Sequence, residues 1–191
     1  MLPDYEPLTG PAQDVANLMG AFPSALAHEA RKAVAALPET RLPWTTFSVR
    51  VGDEAVSIPY RIYHNPSKVD WASLTQAQSE LVECLLTRHH NGYVREEYLR
   101  TIVGYNRVWI PPFVIQLVGE YVIEILRVIR DNIISLNTSI YSEYLRSNPQ
   151  FVDLIEQRVI SYWNCYYRTR HREDYVGYVG FQVLDYFKAL R

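Results

Sequence analysis

The sequence predicts a mainly α domain, a compact bundle of antiparallel helix pairs with a small β-hairpin near its N-terminus. Three observations predict it. Apolar residues recur at helical spacing through most of the chain after residue 71. The run Asn91-Gly92-Tyr93-Val94-Arg95-Glu96 places a turn between two such stretches. Only Thr45 to Tyr63 changes to an alternating, two-residue period.

Taken in order, residues 1–10 are rich in Pro, Gly and acid and form an expected flexible tail. Two amphipathic helices are expected over 12–37. Val15, Leu18, Met19 and Phe22 mark the first; Leu26, Ala30, Ala33, Val34 and Leu37 mark the second, with Ser24 as its cap and Pro38 at its end. The hairpin is expected over 45–63. Phe47, Val49 and Val51 alternate with polar residues, Gly52-Asp53-Glu54 turns the chain, and Val56, Ile58, Tyr60 and Ile62 alternate again. Pro59 cannot donate to a ladder and needs an edge. A lone hairpin is marginal in water, so it must lie on the helices, or its open edge must pair with another strand.

The helical core is expected over 71–190. Thr75-x-x-Gln78 is a capping-box pattern, and Leu81, Val82, Leu85, Leu86 and His89 form one face. Asn91-Gly92 is expected to end this helix by a left-handed cap. A short helix with Val94, Tyr98, Leu99, Ile102 and Val103 follows. A long helix is expected after Pro111-Pro112. Its apolar residues run from Val114 to Ile129 and cover more than half of its surface, which makes it central. Its polar stripe is Gln116, Glu120, Glu124, Arg127 and Asp131. Asn137 or Thr138 caps the next helix, Asn148-Pro149 opens another, and a last helix carries Val176, Val179, Val183, Phe187 and Leu190.

The pattern Tyr93-Val94-Arg95-Glu96 recurs as Tyr121-Val122-Ile123-Glu124, and Tyr175-Val176 stands near two equal steps further on. With Pro111-Pro112-Phe113-Val114 and Gly119-Glu120-Tyr121-Val122, these residues resemble the helix-turn-helix units of bacterial HEAT-like repeat proteins. The resemblance covers about a quarter of the chain, roughly Leu81 to Asp131. It implies HEAT-like helix pairs that bind through a packed helical surface and share no common chemistry. It also implies a structural turn at His90, Asn91, Gly92 and Arg95: Asn91 caps it, Val94 fills the seam and Arg95 bonds neighbouring turns. Ile123 stands where a second arginine is expected, and the hairpin is foreign to such repeats.

The 191 residues, 48% of them hydrophobic, suit one domain over 1–191. A net charge of −2 argues against a general polyanion binder. Cys84 and Cys165 sit in apolar helical patterns and read as buried free thiols. No signal pattern or membrane span is expected, which places the protein in the cytoplasm. Tyrosine outnumbers phenylalanine by 15 to 6, a preference found at core margins and at interfaces alike.

No motif assigns a catalytic residue, a metal ligand or a cofactor. The first expectation is therefore a non-enzymatic protein-interaction module, an adaptor or an inhibitor of a partner, which includes homodimerisation. The second is nucleic-acid binding through Tyr166, Tyr167, Arg168, Arg170 and Arg172, where basic and aromatic residues interleave beside Trp163, although Glu173 and Asp174 follow at once. The third is a metal-dependent enzyme built on His89, His90, Glu120 and Glu124, with His64, His171 or Glu96 as remote ligands. Glu120 and Glu124, one helical turn apart, also fit surface or interface charge, Glu124 pairing with Arg127. Gly177 and Gly180 read as sites of close helix packing.

Overall fold

A computed structural model describes residues 16–40, 42, 44–168 and 177–191. The protein is mainly helical with one small antiparallel hairpin. A helical turn at 16–19 leads to α1 (Ala27–Ala35), and the hairpin follows as β1 (Thr46–Val51) and β2 (Glu54–Pro59). The remaining helices are α2 (Gln76–Leu86), α3 (Gly92–Ile102), α4 (Pro111–Val118), α5 (Ile123–Asn132), α6 (Thr138–Ser147), α7 (Pro149–Tyr162) and α8 (Val179–Ala189).

Local chemistry sets several of these bounds. Thr75 and Gln78 form the expected capping box, and the Gln78 amide also donates to Glu29 on α1 at 2.6 Å. Asn137 caps α6 by accepting from the Ile140 N–H at 3.2 Å. The hairpin pairs Phe47 with Ile58 and Val49 with Val56, which turns Phe47, Val49, Val51, Val56 and Ile58 inward. Gly52 supplies the left-handed residue of the turn, with φ 59°. The strand ends at Pro59; the Tyr60 N–H still donates across to the Thr45 carbonyl at 2.8 Å, and Ile62 leaves the ladder.

Both edges of the hairpin are met from within the chain. The Asn148 side chain accepts from the Arg50 N–H at 2.7 Å and donates to the Arg50 carbonyl at 2.9 Å, as a neighbouring strand would. On the other edge the Ser57 N–H donates to the Gly20 carbonyl at 2.8 Å. The expectation of an open edge is corrected by these bonds. Asn148 precedes Pro149 as expected, but it spends its amide on Arg50 and Tyr144 and makes no side-chain cap.

Every residue of α4 is buried, and α5, α6, α7 and α8 all pack on it. Each large apolar side chain buried there contributes about 1.5–3 kcal/mol. Phe47 stacks on Phe151 of α7 at 5.3 Å, which seats the hairpin on the helices. One continuous cluster of buried side chains runs from Leu18 to Phe187.

The expected long central helix is two helices. Gly119 ends α4, and Val122 is extended at φ −83°, ψ 107° before α5 begins. A Cβ at Gly119 would lie 3.1 Å from Ile155 and 3.2 Å from the Arg158 chain, so the bare backbone lets α7 approach. The turn at 87–91 is also corrected. Gly92 is the first residue of α3 rather than the left-handed end of α2, and Asn91 caps α3 by accepting from the Tyr93 N–H at 3.0 Å. Cys84 is buried as expected, but Cys165 is exposed, because the helix passes through a π-turn at Trp163–Tyr167 that rotates it outward. The close approach at Gly180 is to the Tyr178 ring, not to a second helix. Among the described residues, no helix is long and apolar enough to cross a membrane.

Candidate functional site

The site grows from one buried carboxylate. Glu120 sits in the break between α4 and α5 and is 3% exposed. An apolar stretch cannot bury a carboxylate without cationic partners. Three arginines supply them from three other parts of the chain. Arg61, in the segment after β2, donates from Nη2 to both Glu120 oxygens at 2.7 and 2.9 Å. Arg95 of α3 donates from Nη2 at 3.2 Å. The Nη2 of Arg88 stands 3.8 Å from Oε1.

The backbone around the carboxylate holds these arginines in place. Ile62 pairs with the turn after α2: its N–H donates to the Arg88 carbonyl, and its carbonyl accepts from the His90 N–H, both at 2.9 Å. Fully buried Arg88 then donates to the carbonyls of Pro59, Thr87 and Tyr60. Arg95 Nη1 donates to the carbonyls of His89 and His90, both at 2.9 Å. The turn residue Arg95 therefore bonds its own turn and the next one through Glu120. Gly92 lies against Val122 and the Arg95 guanidinium, and Val94 is half-buried.

A fourth arginine completes the corner. Arg158 of α7 packs its chain on Gly119 and places its guanidinium 5.5 Å from the centre of the Tyr60 ring. Among the described residues, the corner thus holds four guanidiniums and one carboxylate. Burial pulls Arg88 down to about 9; Glu120 resists, while Arg61, Arg95 and Arg158 push the same way as burial. Burial also lowers Arg95, again against Glu120. Arg88 remains a cation at neutral pH.

A second feature borders the first. Tyr121, Tyr162 and Tyr166 stand with ring centres 5.8, 5.9 and 6.1 Å apart. Tyr121 is 50% exposed and Tyr166 is 44% exposed, so the trio opens to solvent. Arg158, Tyr162 and Tyr166 follow at four-residue steps, which carries the arginine corner directly into the aromatic patch. Tyr167 faces inward instead, and its hydroxyl donates to the Tyr121 carbonyl at 2.6 Å. That bond pins the patch to the break between α4 and α5. Tyr93, at the start of α3, is 83% exposed.

The expected site residues separate accordingly. Tyr166 is on the surface and Tyr167 is a buried pin. Arg168 lies over the Trp163 ring at 5.4 Å and donates to Asn164. Arg170, Arg172 and His171 lie outside the described residues, as do Glu173, Asp174 and the Tyr175-Val176 echo. Glu120 and Glu124 do not share a helix: Glu120 is held by arginines, while Glu124 is exposed and 4.0 Å from Arg127.

His89 and His90 lie in the turn, with ring centres 4.4 Å apart. Burial, with His90 beside it, lowers His89 to about 4, so it is neutral at pH 7. Its Nδ1 accepts from the Asn91 N–H at 3.1 Å. His90 stacks on Tyr63 at 5.1 Å, and His64 Nδ1 is 2.7 Å from the Pro38 carbonyl. Glu96 takes Arg100 at 2.7 Å. Among the described residues, no three His, Cys, Asp or Glu side chains gather where they could hold a metal ion.

Glu120, Arg95 and Tyr166 stand out in the sequence one by one, with nothing to join them, and Arg61, Arg88, Arg158, Tyr121 and Tyr162 do not stand out as site residues. One signal was available. Glu120 is the single carboxylate in the apolar run from Trp109 to Val122, and such a residue has to be met by cations from elsewhere. Comparison with protein families, with curated proteins and with solved structures finds no match.

Proposed function

We propose that the chain is a protein-interaction module, an adaptor or inhibitor of a partner protein, and that its contact surface is the patch of Tyr121, Tyr162 and Tyr166 beside the arginine corner. The observation that carries this reading is the tyrosine trio, exposed at Tyr121 and Tyr166 and backed by buried structure. Tyrosine and arginine are the side chains enriched where protein interfaces concentrate their binding energy. The rings are pre-positioned by Tyr167 and by the Glu120 ion pairs, so little ordering entropy remains to be lost on binding. The likeness of Asn91 and Arg95 to the turn of HEAT-like repeats supports the same reading, since such units bind through helical surfaces.

The test is capture of partners by the tagged protein from its native lysate, with and without nuclease. The expected result is one stoichiometric protein that survives nuclease and is lost in the Tyr121→Ala, Tyr166→Ala double variant, whose melting temperature stays near that of the wild type. Capture that is unchanged in the double variant would refute the surface. Recovery only of nucleic acid would move the assignment to Tyr166 and Arg168. A wild type that sediments as a dimer and a double variant that sediments as a monomer would make the partner a second copy.

A further inference from the structure

The arginine corner carries more positive charge than the fold uses. Glu120 is engaged by Arg61, Arg88 and Arg95, and one carboxylate cannot neutralise three guanidiniums, still less four. Arg158 has no hydrogen bond or ion pair among the described residues; its guanidinium lies over the face of the Tyr60 ring. Its fork of N–H donors is therefore open. Arg61 keeps 32% of its side chain exposed at the same corner. Beneath them, the Nε of Arg95 is buried and has no acceptor. Surplus cations held this close destabilise one another, and an incoming anion relieves that repulsion.

We infer that the corner between Arg61 and Arg158 is an oxyanion site that receives a carboxylate side chain of the partner protein. This rests on the proposed interaction surface and names the chemistry of its occupant. The surplus is a single compact point on a chain of net charge −2. A nucleic-acid strand is tracked by a line of cations; one carboxylate needs one fork. The adjoining tyrosines favour an acidic residue set among apolar or aromatic neighbours, whose rings and methylenes the trio would cover.

The experiment follows the arginine Nε–Hε resonances of the full chain by NMR while glutarate, and separately inorganic phosphate, is added at constant ionic strength. Glutarate is expected to move the Arg158 and Arg61 signals saturably, with half-saturation in the millimolar range that one or two charge-assisted hydrogen bonds provide. In Arg158→Gln the Arg61 response weakens about tenfold or more, a loss of about 1.4 kcal/mol of binding, and Arg158→Lys restores part of it. Absence of a saturable shift with either anion overturns the site. Phosphate binding more than about tenfold tighter than glutarate overturns the carboxylate assignment. The two readings fail separately. Protein capture that needs Tyr121 and Tyr166 but is equal in wild type and Arg158→Gln overturns this inference and leaves the interaction surface standing. Saturable glutarate binding in a protein that captures nothing overturns the surface and leaves the anion site standing.

Discussion

Two buried carboxylate clusters sit at opposite ends of the α2–α3 pair, and they are built with opposite surpluses. Beyond the end of α3, Arg107 donates to Glu80 of α2 at 2.9 and 3.3 Å, and the Tyr105 hydroxyl donates to Glu83 at 2.8 Å. Among the described residues, two carboxylates stand there with one guanidinium, which pairs with Glu80. Past the end of α2, among the described residues, one carboxylate faces three guanidiniums, and a fourth, Arg158, adds its charge beside Arg88. The first cluster uses a neutral hydroxyl and a half-exposed arginine, so its excess charge is shared with water. The second holds most of its charge away from water and next to exposed aromatic rings. The difference separates a cluster that only joins helices from one that is also equipped to take a ligand.

The largest expected effect breaks the second cluster. Glu120→Gln removes the carboxylate that pairs with buried Arg88 and Arg95, and the fold is expected to lose about 3–5 kcal/mol, read as a lower urea midpoint. Glu80→Gln is expected to lower the midpoint less, because Arg107 can turn back into water. Next comes Tyr105→Phe, which takes the donor from half-buried Glu83 and is expected to cost about 1–2 kcal/mol, less than the usual charged hydrogen bond because water reaches the site. Equal losses for Glu120→Gln and Tyr105→Phe would erase the distinction between the two ends.

The two ends are also expected to respond to pH in opposite directions. Burial raises the Glu83 carboxyl above its ordinary 4.5, against the Tyr105 bond and with Glu80 adding to the rise. The native state then holds a proton that the unfolded chain releases, so this contribution is present at low pH and lost as pH rises through the native value. His89, at the other end, is lowered from 6.5 to about 4. Its contribution is present above 6.5 and lost as pH falls toward 4. Melting curves between pH 4 and 7 check both signs. His89→Asn is expected to flatten the acid loss of stability. Glu83→Gln is expected to gain on the wild type as pH rises.

Much of the fold was legible in residues that act on near neighbours. Thr75 and Gln78, Asn137 and the alternation around Gly52 each exert their effect within a few residues, and local pattern recovers them; Asn91 reads as the close of α2, whereas it caps α3. Glu120 was legible only as half of a pair with Glu124, because apolar spacing continues in phase from Val114 to Ile129 and hides the break. Arginines at 61, 88 and 95 settle the position of Glu120, and no periodicity in the sequence links them. Asn148 was missed as the edge partner of Arg50 for the same reason: the contact joins residues far apart in the chain. Tyrosine counts alone could not separate Tyr166 from Tyr167, which a π-turn sends in different directions.

The smallest expected effect is that of Arg158→Gln on the unliganded fold. It should stay within about 0.5 kcal/mol of the wild type, since Arg158 holds no bond that the fold requires. A large loss would make Arg158 a structural strut instead of a receptor.

One measurement tests the contrast between the two ends most directly: urea unfolding of Arg158→Glu and Arg107→Glu, side by side with the wild type at low salt. The first places a carboxylate where positive charge is in excess; the second places one where negative charge already is. Arg158→Glu is expected to hold or raise the unfolding midpoint, and Arg107→Glu to lower it. A midpoint lowered as far by Arg158→Glu as by Arg107→Glu would contradict a positive surplus at the Glu120 corner, and with it the reason for a carboxylate to bind there.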